Sequence, residues 1–225
     1  MPAIIQLPGV STVNFVVSHR SDGDFNSDVV DRTLLRSRRQ ELVALPWTQL
    51  NEVHGSDSQW VETPGSRDGE IGDVIGTDAN NAVLGIWVGD CAPVFLIGEH
   101  SLVAVHAGWK GLRDGVLSHA HALIRTHDDV AIHGFVGPHI DQCCYEFSES
   151  DLRVMADLFG SSARGVDQFG RPALNVAACI RSFFTSHEIP LTELSECTGC
   201  RAEQYFSHRV RGERERQIVG VWRTT

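Results

Sequence analysis

Three residues, each beside an apolar run of this sequence, have side chains of types that can bind metal ions. Cys91 lies in "VGDCAPVFL", His106 in "LVAVHAGWKG" and His54 in "NEVHGSD". Each lies where a predicted strand meets a glycine or proline turn, and strand ends are places where a sheet brings together residues that are distant in sequence. A thiolate and two imidazoles suit Zn(II), with the fourth position left to water or substrate, as in catalytic zinc sites.

The same three residues also have a structural interpretation. Cysteine is among the most buried residue types, and a histidine near an apolar run is usually a core residue with satisfied hydrogen bonds. Histidine and cysteine are common enough for such triples to arise without any function. The residue types and their spacing alone therefore do not decide between a metal site and core packing.

The elements that must position these residues are helices and strands in alternation. "SDVVDRTLLRSRRQELVAL" is typical of an amphipathic helix, with Asn26 or Ser27 as its cap. Further helices are predicted from about Lys110 to Thr126 and after Ser148, which opens a Ser-x-x-Asp capping box. Runs such as "NAVLGIWVGD" and "PVFLIGEH" are apolar on both faces, as expected of strands in a covered sheet. Several consecutive strands lack intervening helices, which favours a mixed sheet with helices packed on it.

Length and charge limit the class of protein. The 225 residues suffice for one full core and are few for two ordinary domains, so residues 1–225 are interpreted as a single domain. The net charge of −10 disfavours binding to nucleic acid and to anionic membranes. No basic segment leads a long apolar run at the N-terminus, and no run approaches the roughly 20 apolar residues of a membrane span. A cytoplasmic protein without membrane attachment is expected.

The cysteines are interpreted as reduced thiols. Six occur, at positions 91, 143, 144, 179, 197 and 200, which is few for a chain of this length, and two of them are adjacent. Cys197 and Cys200 form a Cys-x-x-Cys pair, a spacing typical of zinc ribbons and thioredoxin-like proteins. Because the sequence has no second pair of this spacing, the pair is not interpreted as a metal site.

The segments around the three candidate ligands occur together in a known family. "NEVHG", "GDCAPVFL", "VAVHAGWKG", "GPHIDQCCYEF" and "CTGCRAEQYFSHRV" follow in that family's order and at about its spacing. From about Val13 to Trp222 the chain resembles the YfiH-type, laccase-domain family, often labelled polyphenol oxidase and described as purine nucleoside phosphorylases. The resemblance implies an α+β fold, namely a single-domain three-layer α/β/α sandwich with a mixed β-sheet. It also implies a Zn(II) ion bound by His54, Cys91 and His106.

The resemblance also implies an activity and its substrates. These are phosphorolysis of adenosine, inosine, guanosine and methylthioadenosine, and deamination of adenosine. The expected partners are purine nucleosides and phosphate, and the sequence does not indicate a partner protein. Arg20 matches an early arginine of the family and is expected to contact phosphate, because a guanidinium fork fits phosphate oxygens. Trp109 is expected to stack on a purine, or otherwise to pack in the core. Asp90 is expected to orient a zinc ligand or accept a proton, with turn formation as its structural alternative.

The chain departs from the family in one segment. Between Arg20 and Asp31, the sequence "RSDGDFNSDVVD" lacks most of the Gly-Gly-Val-Ser and Asn-Leu-Gly phrases of the family. Substrate contacts made by this segment are therefore left open. Arg39, preceded by Arg38 where the family has asparagine, is interpreted as part of a solvated helix face.

Two other classes of function stay open. A copper oxidase, in which copper replaces zinc, is one of them, because two histidines and a cysteine also describe a blue-copper site. The motifs that would support a copper site are absent. The only His-x-His pair, His119 and His121, lies on a predicted helix, where residues two apart point in different directions. Met155 is the only internal methionine that could serve as an axial ligand. The other is a metal-free hydrolase with Cys91 as nucleophile and His106 as base, or a non-catalytic binding protein with the same fold.

Overall fold

Strands make up most of the core. The computed structural model describes residues 4–6, 12–129 and 131–225, so residues 1–3, 7–11 and 130 of the predicted domain lie outside the described residues. The described strands are β1 (Ile4–Gln6), β2 (Val13–Val17), β3 (Trp47–Gln49), β4 (Ser58–Val61), β5 (Val74–Thr77), β6 (Val83–Val88), β7 (Ala92–Gly98), β8 (Leu102–Ala107), β9 (Ala131–Val136), β10 (Arg164–Val166), β11 (Pro172–Leu174), β12 (Leu191–Glu193) and β13 (Gln217–Arg223). The described α-helices are α1 (Arg32–Leu42), α2 (Trp109–Arg113), α3 (Val116–Ile124), α4 (Glu149–Phe159), α5 (Val176–Ser186) and α6 (His208–Arg211).

The described strands form two large sheets and one hairpin. The first sheet has the order β1-β2-β13-β6-β3, and the second has the order β12-β9-β7-β8-β5-β4. Both sheets are mixed, because β3 pairs in parallel with β6, and β12 and β4 pair in parallel with β9 and β5. The remaining strands, β10 and β11, pair with each other.

The two large sheets pack against each other. Phe15 of the first sheet lies with its ring centroid 5.4 Å from Phe95 and 4.3 Å from Phe135 of the second. Helices cover the outer faces: α3 packs on β8, and Leu35 of α1 packs with Trp47 and other residues of the first sheet. The predicted mixed α/β fold is confirmed. Its strands are divided between two sheets where the sequence predicted one, because a run that is apolar on both faces does not show whether a helix or a sheet covers it. The single-domain interpretation of residues 1–225 stays a prediction.

The helix boundaries differ from the predicted ones where caps and turns intervene. The first helix is capped by Asp31, whose carboxylate accepts from the backbone N–H groups of the first turn, so the predicted caps Asn26 and Ser27 are wrong. The helix predicted from Lys110 is divided into α2 and α3 at Gly115, which has φ of 85°. Ser148 caps α4 as predicted, since its Oγ accepts from Asp151 N–H at 3.1 Å.

Arg39 does not lie on a solvated face, and that interpretation was wrong. It is 4% exposed, and its two terminal nitrogens donate to the two carboxylate oxygens of Asp68 at 2.7 and 2.9 Å. This bidentate ion pair joins α1 to the loop after β4. Helical periodicity alone cannot show it, because the carboxylate comes from a distant loop.

In the described part of the chain, no helix combines the length and the apolar character needed to cross a membrane. The cytoplasmic location stays a prediction.

Candidate metal centre

The three candidate ligands meet at one end of the six-stranded sheet. His106 lies near the end of β8, opposite Pro93 of the antiparallel strand β7, so Cys91 just before β7 lies alongside it. His54 reaches the same point from the loop between β3 and β4. One ligand atom of each residue lies within 4.8 Å of the others, and Cys91 Sγ is 3.8 Å from His54 Nε2. The fold therefore brings together the three residues that the sequence pattern combined.

The loop that carries His54 is held by a single carboxylate. Asp73, just before β5, accepts hydrogen bonds from the backbone N–H groups of His54 at 2.8 Å and Gly55 at 2.7 Å. His54 has φ of 62°, which is uncommon for a residue with a Cβ and persists where surrounding contacts fix it. The buried Asp73 carboxylate thus fixes the direction in which His54 presents its ring.

The same carboxylate orients His106. Asp73 Oδ1 lies 2.8 Å from His106 Nδ1, so this nitrogen carries the donated proton and Nε2 is left for a ligand. Burial raises the pKa of Asp73, but the hydrogen bond and the charge of His106 outweigh it, and the net pKa lies below its ordinary value. Asp73 is therefore ionised at neutral pH. The sequence pattern gave no sign of this role for Asp73.

A second carboxyl group lies beside His106. Glu52 Oε2 is 3.6 Å from His106 Nδ1, and Glu52 Oε1 accepts from the Trp87 backbone N–H at 3.0 Å. The side chain is only 3% exposed, and this burial raises the pKa of Glu52 to about 8. Glu52 lies in the segment "NEVHG", and nothing in that segment indicates that its side chain is buried.

The surroundings of Cys91 favour its thiolate. Burial raises the pKa of this thiol, whereas the charge of His106 and hydrogen bonds with His106 and His54 lower it, and the net pKa is about 6. For His106, burial lowers the pKa, while the charges of Glu52 and Cys91 raise it well above its ordinary value. A thiolate is the form that binds metal and the form that attacks as a nucleophile, so this property suits both roles.

The three residues open into a cleft of about 410 Å³. Apart from the three candidate ligands, the lining includes three acidic side chains, three Trp or Tyr side chains and three Lys or Arg side chains, namely Asp28, Glu52, Asp90, Trp87, Trp109, Tyr145, Lys110, Arg209 and Arg216. Pockets of this size accommodate ligands as large as a nucleoside. One cavity therefore contains both the candidate metal ligands and the basic side chains.

Asp90 lines this cleft and is fully engaged with protein donors. Thr198 Oγ1 donates to Asp90 Oδ1 at 2.7 Å, and the Arg209 backbone N–H donates to Asp90 Oδ2 at 2.6 Å. Burial raises the pKa of Asp90, more than these hydrogen bonds lower it. Asp90 has φ of 116° and directly precedes Cys91, so the contacts also hold the backbone that presents the thiol.

The aromatic side chains of the cleft are fixed by their neighbours. Trp109 packs edge-to-face on Phe147 with centroids 5.1 Å apart, so it both packs and lines the cleft. The guanidinium of Arg209 lies 4.6 Å from the centroid of the Tyr145 ring, at cation–π distance. The sequence pattern did not indicate a role for Tyr145 in the site.

Arg20 is not among the residues that line the cleft. Its guanidinium donates to the carbonyl oxygens of Ala202 and Tyr205, each at 3.0 Å, and to Glu213 Oε1 at 2.7 Å. These acceptors occupy the Arg20 guanidinium, which was expected to contact phosphate.

The Cys-x-x-Cys pair has partners that its spacing did not indicate. Cys197 and Cys200 lie beside the adjacent cysteines 143 and 144, with one ligand atom from each of the four within 4.8 Å of the others. The sequence has no second Cys-x-x-Cys pair, and the fold supplies two consecutive cysteines in its place.

The chain belongs to the family described as "Multi-copper polyphenol oxidoreductase laccase", which matches residues 8–224. The predicted resemblance to the laccase-domain family is thereby confirmed. A purine nucleoside phosphorylase of Clostridium acetobutylicum is 30% identical over 152 residues, which are 63% of this chain and 62% of that protein. The purine nucleoside phosphorylase YlmD of Geobacillus stearothermophilus is 28% identical over 224 residues, which are 89% of this chain and 81% of that protein.

A solved structure has the same fold. The Neisseria meningitidis protein NMB0706, assigned to family DUF152, matches with a TM-score of 0.85 at 20% identity, covering 100% of this chain and 99% of that one. This likeness extends over both sheets and the helices that cover them.

Proposed function

We propose that this chain is a zinc-dependent purine nucleoside phosphorylase that acts on adenosine, inosine, guanosine and methylthioadenosine and also deaminates adenosine. The observation that carries the proposal is the convergence of His54, Cys91 and His106 in a cleft that also contains basic and aromatic side chains. The names of the relatives support the reaction class. The list of nucleosides and the deamination are inferred from the family resemblance.

The donor set fits a zinc ion. Cys91 supplies a thiolate, His106 offers Nε2 because Nδ1 is engaged with Asp73, and His54 Nε2 lies close to the thiol. Gly108 leaves room for an ion: a Cβ there would lie 2.9 Å from His54 Cδ2 and 3.1 Å from Cys91 Sγ. A zinc ion bound by these residues would supply a Lewis acid that polarises substrate or lowers the pKa of a bound water.

Basic residues of the cleft are assigned to phosphate. In phosphorolysis, the bond between ribose and the purine nitrogen breaks, a phosphate oxygen bonds to the ribose carbon, and the purine leaves with a proton. The attacking phosphate is anionic and needs cationic partners. Lys110 lines the cleft, and among the described residues it forms no salt bridge. Arg209 donates to the Glu146 carbonyl at 2.9 Å and, among the described residues, pairs with no carboxylate, whereas Arg20 pairs with the Glu213 carboxylate. Lys110 and Arg209 are therefore assigned the phosphate role that the sequence predicted for Arg20.

The remaining cleft residues are assigned to orientation. Trp109 and Tyr145 present aromatic surface on which a purine can stack, and both are held by neighbouring side chains. Asp90 was expected either to orient a ligand or to accept a proton. Because both of its oxygens accept hydrogen bonds from protein, the geometry favours the orienting role toward Cys91 and Arg209.

Product analysis tests the proposal. Inosine should yield hypoxanthine and ribose 1-phosphate only when phosphate is supplied, whereas adenosine should also release ammonia without phosphate. Base release that does not depend on phosphate would indicate hydrolysis and would reject the phosphorylase.

Elemental analysis of protein purified without chelator tests the metal. Copper in place of zinc would favour the oxidase that the family description suggests. In the described structure, Met155 of α4 is buried in the core and is not among the residues that line the cleft, so it offers no axial copper ligand there. Activity that persists after removal of all metal would favour the hydrolase with Cys91 as nucleophile.

A further inference from the structure

Four cysteines from two distant segments converge outside the cleft. Cys143 Sγ lies 3.4 Å from Cys200, 3.7 Å from Cys144 and 3.8 Å from Cys197, and Cys144 Sγ lies 3.4 Å from Cys200. The other two pairs are within 4.8 Å. All four are free thiols in the structure. Cys144 and Cys197 pack at the edge of the core cluster that contains residues of α4 and α5, and the proposed reaction uses none of the four sulfur atoms.

The sulfur positions match the coordination shell of one tetrahedral ion. Zinc–thiolate bonds are about 2.3 Å long, so the edges of a tetrahedral site with four thiolate ligands are about 3.8 Å. The four short distances, from 3.4 to 3.8 Å, are close to this edge. A disulfide needs a sulfur separation of about 2.05 Å and joins only two of the four. An iron–sulfur cluster places its cysteine sulfurs around several metal atoms and needs more room.

Local structure aims the four thiols at one point. Cys143 and Cys144 lie in a 3₁₀ turn opened by Asp141, and the Asp141 backbone N–H donates to Cys197 Sγ at 3.3 Å. A Cβ on Gly199 would lie 2.8 Å from Cys144 Cβ and 2.9 Å from its Sγ. Only glycine at position 199 therefore allows the segment that carries Cys197 and Cys200 to approach Cys144 so closely.

Hydrogen bonds to backbone carbonyls fix the segment of Cys197 and Cys200 independently of the sulfur atoms. The Arg201 N–H donates to the Cys197 carbonyl at 3.0 Å, which closes the turn from 197 to 201. The Arg211 guanidinium donates to the carbonyl oxygens of Thr198 and Gly199 at 3.2 and 2.9 Å. The ligand turn is therefore pre-organised, as a tight metal site requires.

We propose that Cys143, Cys144, Cys197 and Cys200 bind a structural Zn(II) ion that is distinct from the ion in the cleft. Four cysteines fill all four positions, so this site has no place for water or substrate and is closed in the way of structural zinc sites. Binding replaces the four thiol protons by zinc without any change of oxidation state, and the protons pass to solvent. Cys200 is exposed and provides the route by which the ion enters.

The four-cysteine site lies where a bound ion can stabilise one wall of the cleft. Tyr145, which lines the cleft, directly follows Cys144. Thr198, between the cysteines of the pair, donates to Asp90, which directly precedes Cys91. An ion that joins the two cysteine segments therefore also joins the backbone that carries these cleft residues.

Metal stoichiometry of the full chain tests the proposal without any assay of activity. Reduced wild-type protein should contain about two zinc ions per chain, and about one should remain after the double change Cys197→Ser and Cys200→Ser. His54→Ala should also lower the content by about one, and Cys179→Ala, which removes a thiol outside both sets, should leave it unchanged. A wild-type content of about one that the double cysteine variant retains would overturn the proposal. If elemental analysis finds that the metal lost in the double cysteine variant is iron, the assignment of zinc to these four cysteines is overturned.

Cobalt(II) provides a second measurement if the double variant fails to fold. Titration of metal-free His54→Ala protein with cobalt should give the intense absorption bands of a tetrahedral tetrathiolate site. Metal-free wild-type protein should show the same bands in addition to those of the cleft site. Absence of tetrathiolate bands in both proteins, or a disulfide among these cysteines in freshly purified protein by mass spectrometry, rejects the site. The result does not depend on the proposed function, since loss of phosphorolysis leaves these bands unchanged.

Discussion

The Asp73 carboxylate lies 2.8 Å from His106 Nδ1, and the same oxygen lies 2.8 Å from the backbone nitrogen of His54. One buried oxygen thus sets both the tautomer of one candidate ligand and the loop of another. Partners of this kind orient metal ligands and raise their basicity.

Asp73→Asn should weaken zinc binding in the cleft by about 10- to 100-fold, since a neutral amide no longer favours the His106 tautomer that presents Nε2. The dissociation constant can be measured by competition with a chromophoric chelator. Asp57→Asn, a change of a carboxylate in the same loop region whose side chain accepts no hydrogen bond from either histidine, serves as the control. Equal zinc affinity in Asp73→Asn and wild-type protein would contradict the orienting role.

Replacing His54, Cys91 or His106 with alanine should lower zinc content and activity together. All three are expected to share one ion, so removal of any of them opens its coordination shell. Chelator treatment of the wild type should reproduce the loss, and added zinc should restore activity. If Cys91 instead acts as a nucleophile with His106, His54→Ala retains activity, chelator is harmless and a covalent intermediate is seen by mass spectrometry.

Arg209→Ala should raise KM for phosphate by roughly tenfold or more and affect KM for inosine less, because hydrogen bonds to a charged group contribute about 1.5–3 kcal/mol. Lys110→Ala should act in the same direction, and Arg209→Lys and Lys110→Arg keep the charge as matched controls. Arg20→Ala should change KM for phosphate little, since its guanidinium is engaged with Glu213. A large phosphate defect in Arg20→Ala alone would return the role to that residue. Steady-state kinetics with varied phosphate distinguish these outcomes.

Asp128 should make the stability of the fold depend on pH. Its carboxylate accepts from the backbone N–H of Ser101 at 2.7 Å and from the Ser101 hydroxyl at 2.5 Å, closing the turn between β7 and β8. Burial raises the pKa of Asp128, but the hydrogen bonds from Ser101 and His100 outweigh it and bring the net pKa below its ordinary value. A carboxyl group with a lower pKa in the folded state stabilises that state above its unfolded pKa, and the contribution is lost as pH falls through the folded pKa.

The change Asp128→Asn should therefore lower the free energy of unfolding by about 1–3 kcal/mol at pH 7, and by progressively less as the pH falls below about 4. Urea denaturation followed by circular dichroism at several pH values measures the difference. Asp129→Asn alters the exposed neighbour and should have little effect. A destabilisation that stays constant down to pH 3 would argue for a packing effect in place of a charge effect.

The convergence of His54, Cys91 and His106 could be predicted because each lies in a short segment that resembles the laccase-domain family, whereas spacing alone left core packing open. Cys91 and His106 stand at the two ends of a hairpin, and a hairpin aligns such positions by register alone. Glu52 and Asp73 could not be assigned in the same way, since their roles depend on burial and on pairing of β5 with β8. A carboxylate before a strand is common and gives no signal of its own.

The other differences also depend on tertiary structure. The sequence placed Arg20 near substrate by matching a family position, whereas the fold places acceptors for its guanidinium more than 180 residues away in the chain, at Ala202, Tyr205 and Glu213. The cysteine cluster escaped prediction because spacing rules look for two Cys-x-x-Cys pairs. Two consecutive cysteines in a 3₁₀ turn satisfy the same geometry, which becomes visible only when the segments are packed together.

The cleft contains the only lysine of the 225-residue sequence, since every other basic side chain among the 19 is an arginine. An amine-directed reagent therefore has one side-chain target, Lys110, apart from the terminal amino group. Labelling at this position installs a fluorophore or a mass tag directly on the cleft wall, and under the proposed function phosphate would protect Lys110 from the reagent. Conversely, immobilisation of the protein on a surface through its amines attaches it partly by the side chain that lines this cleft.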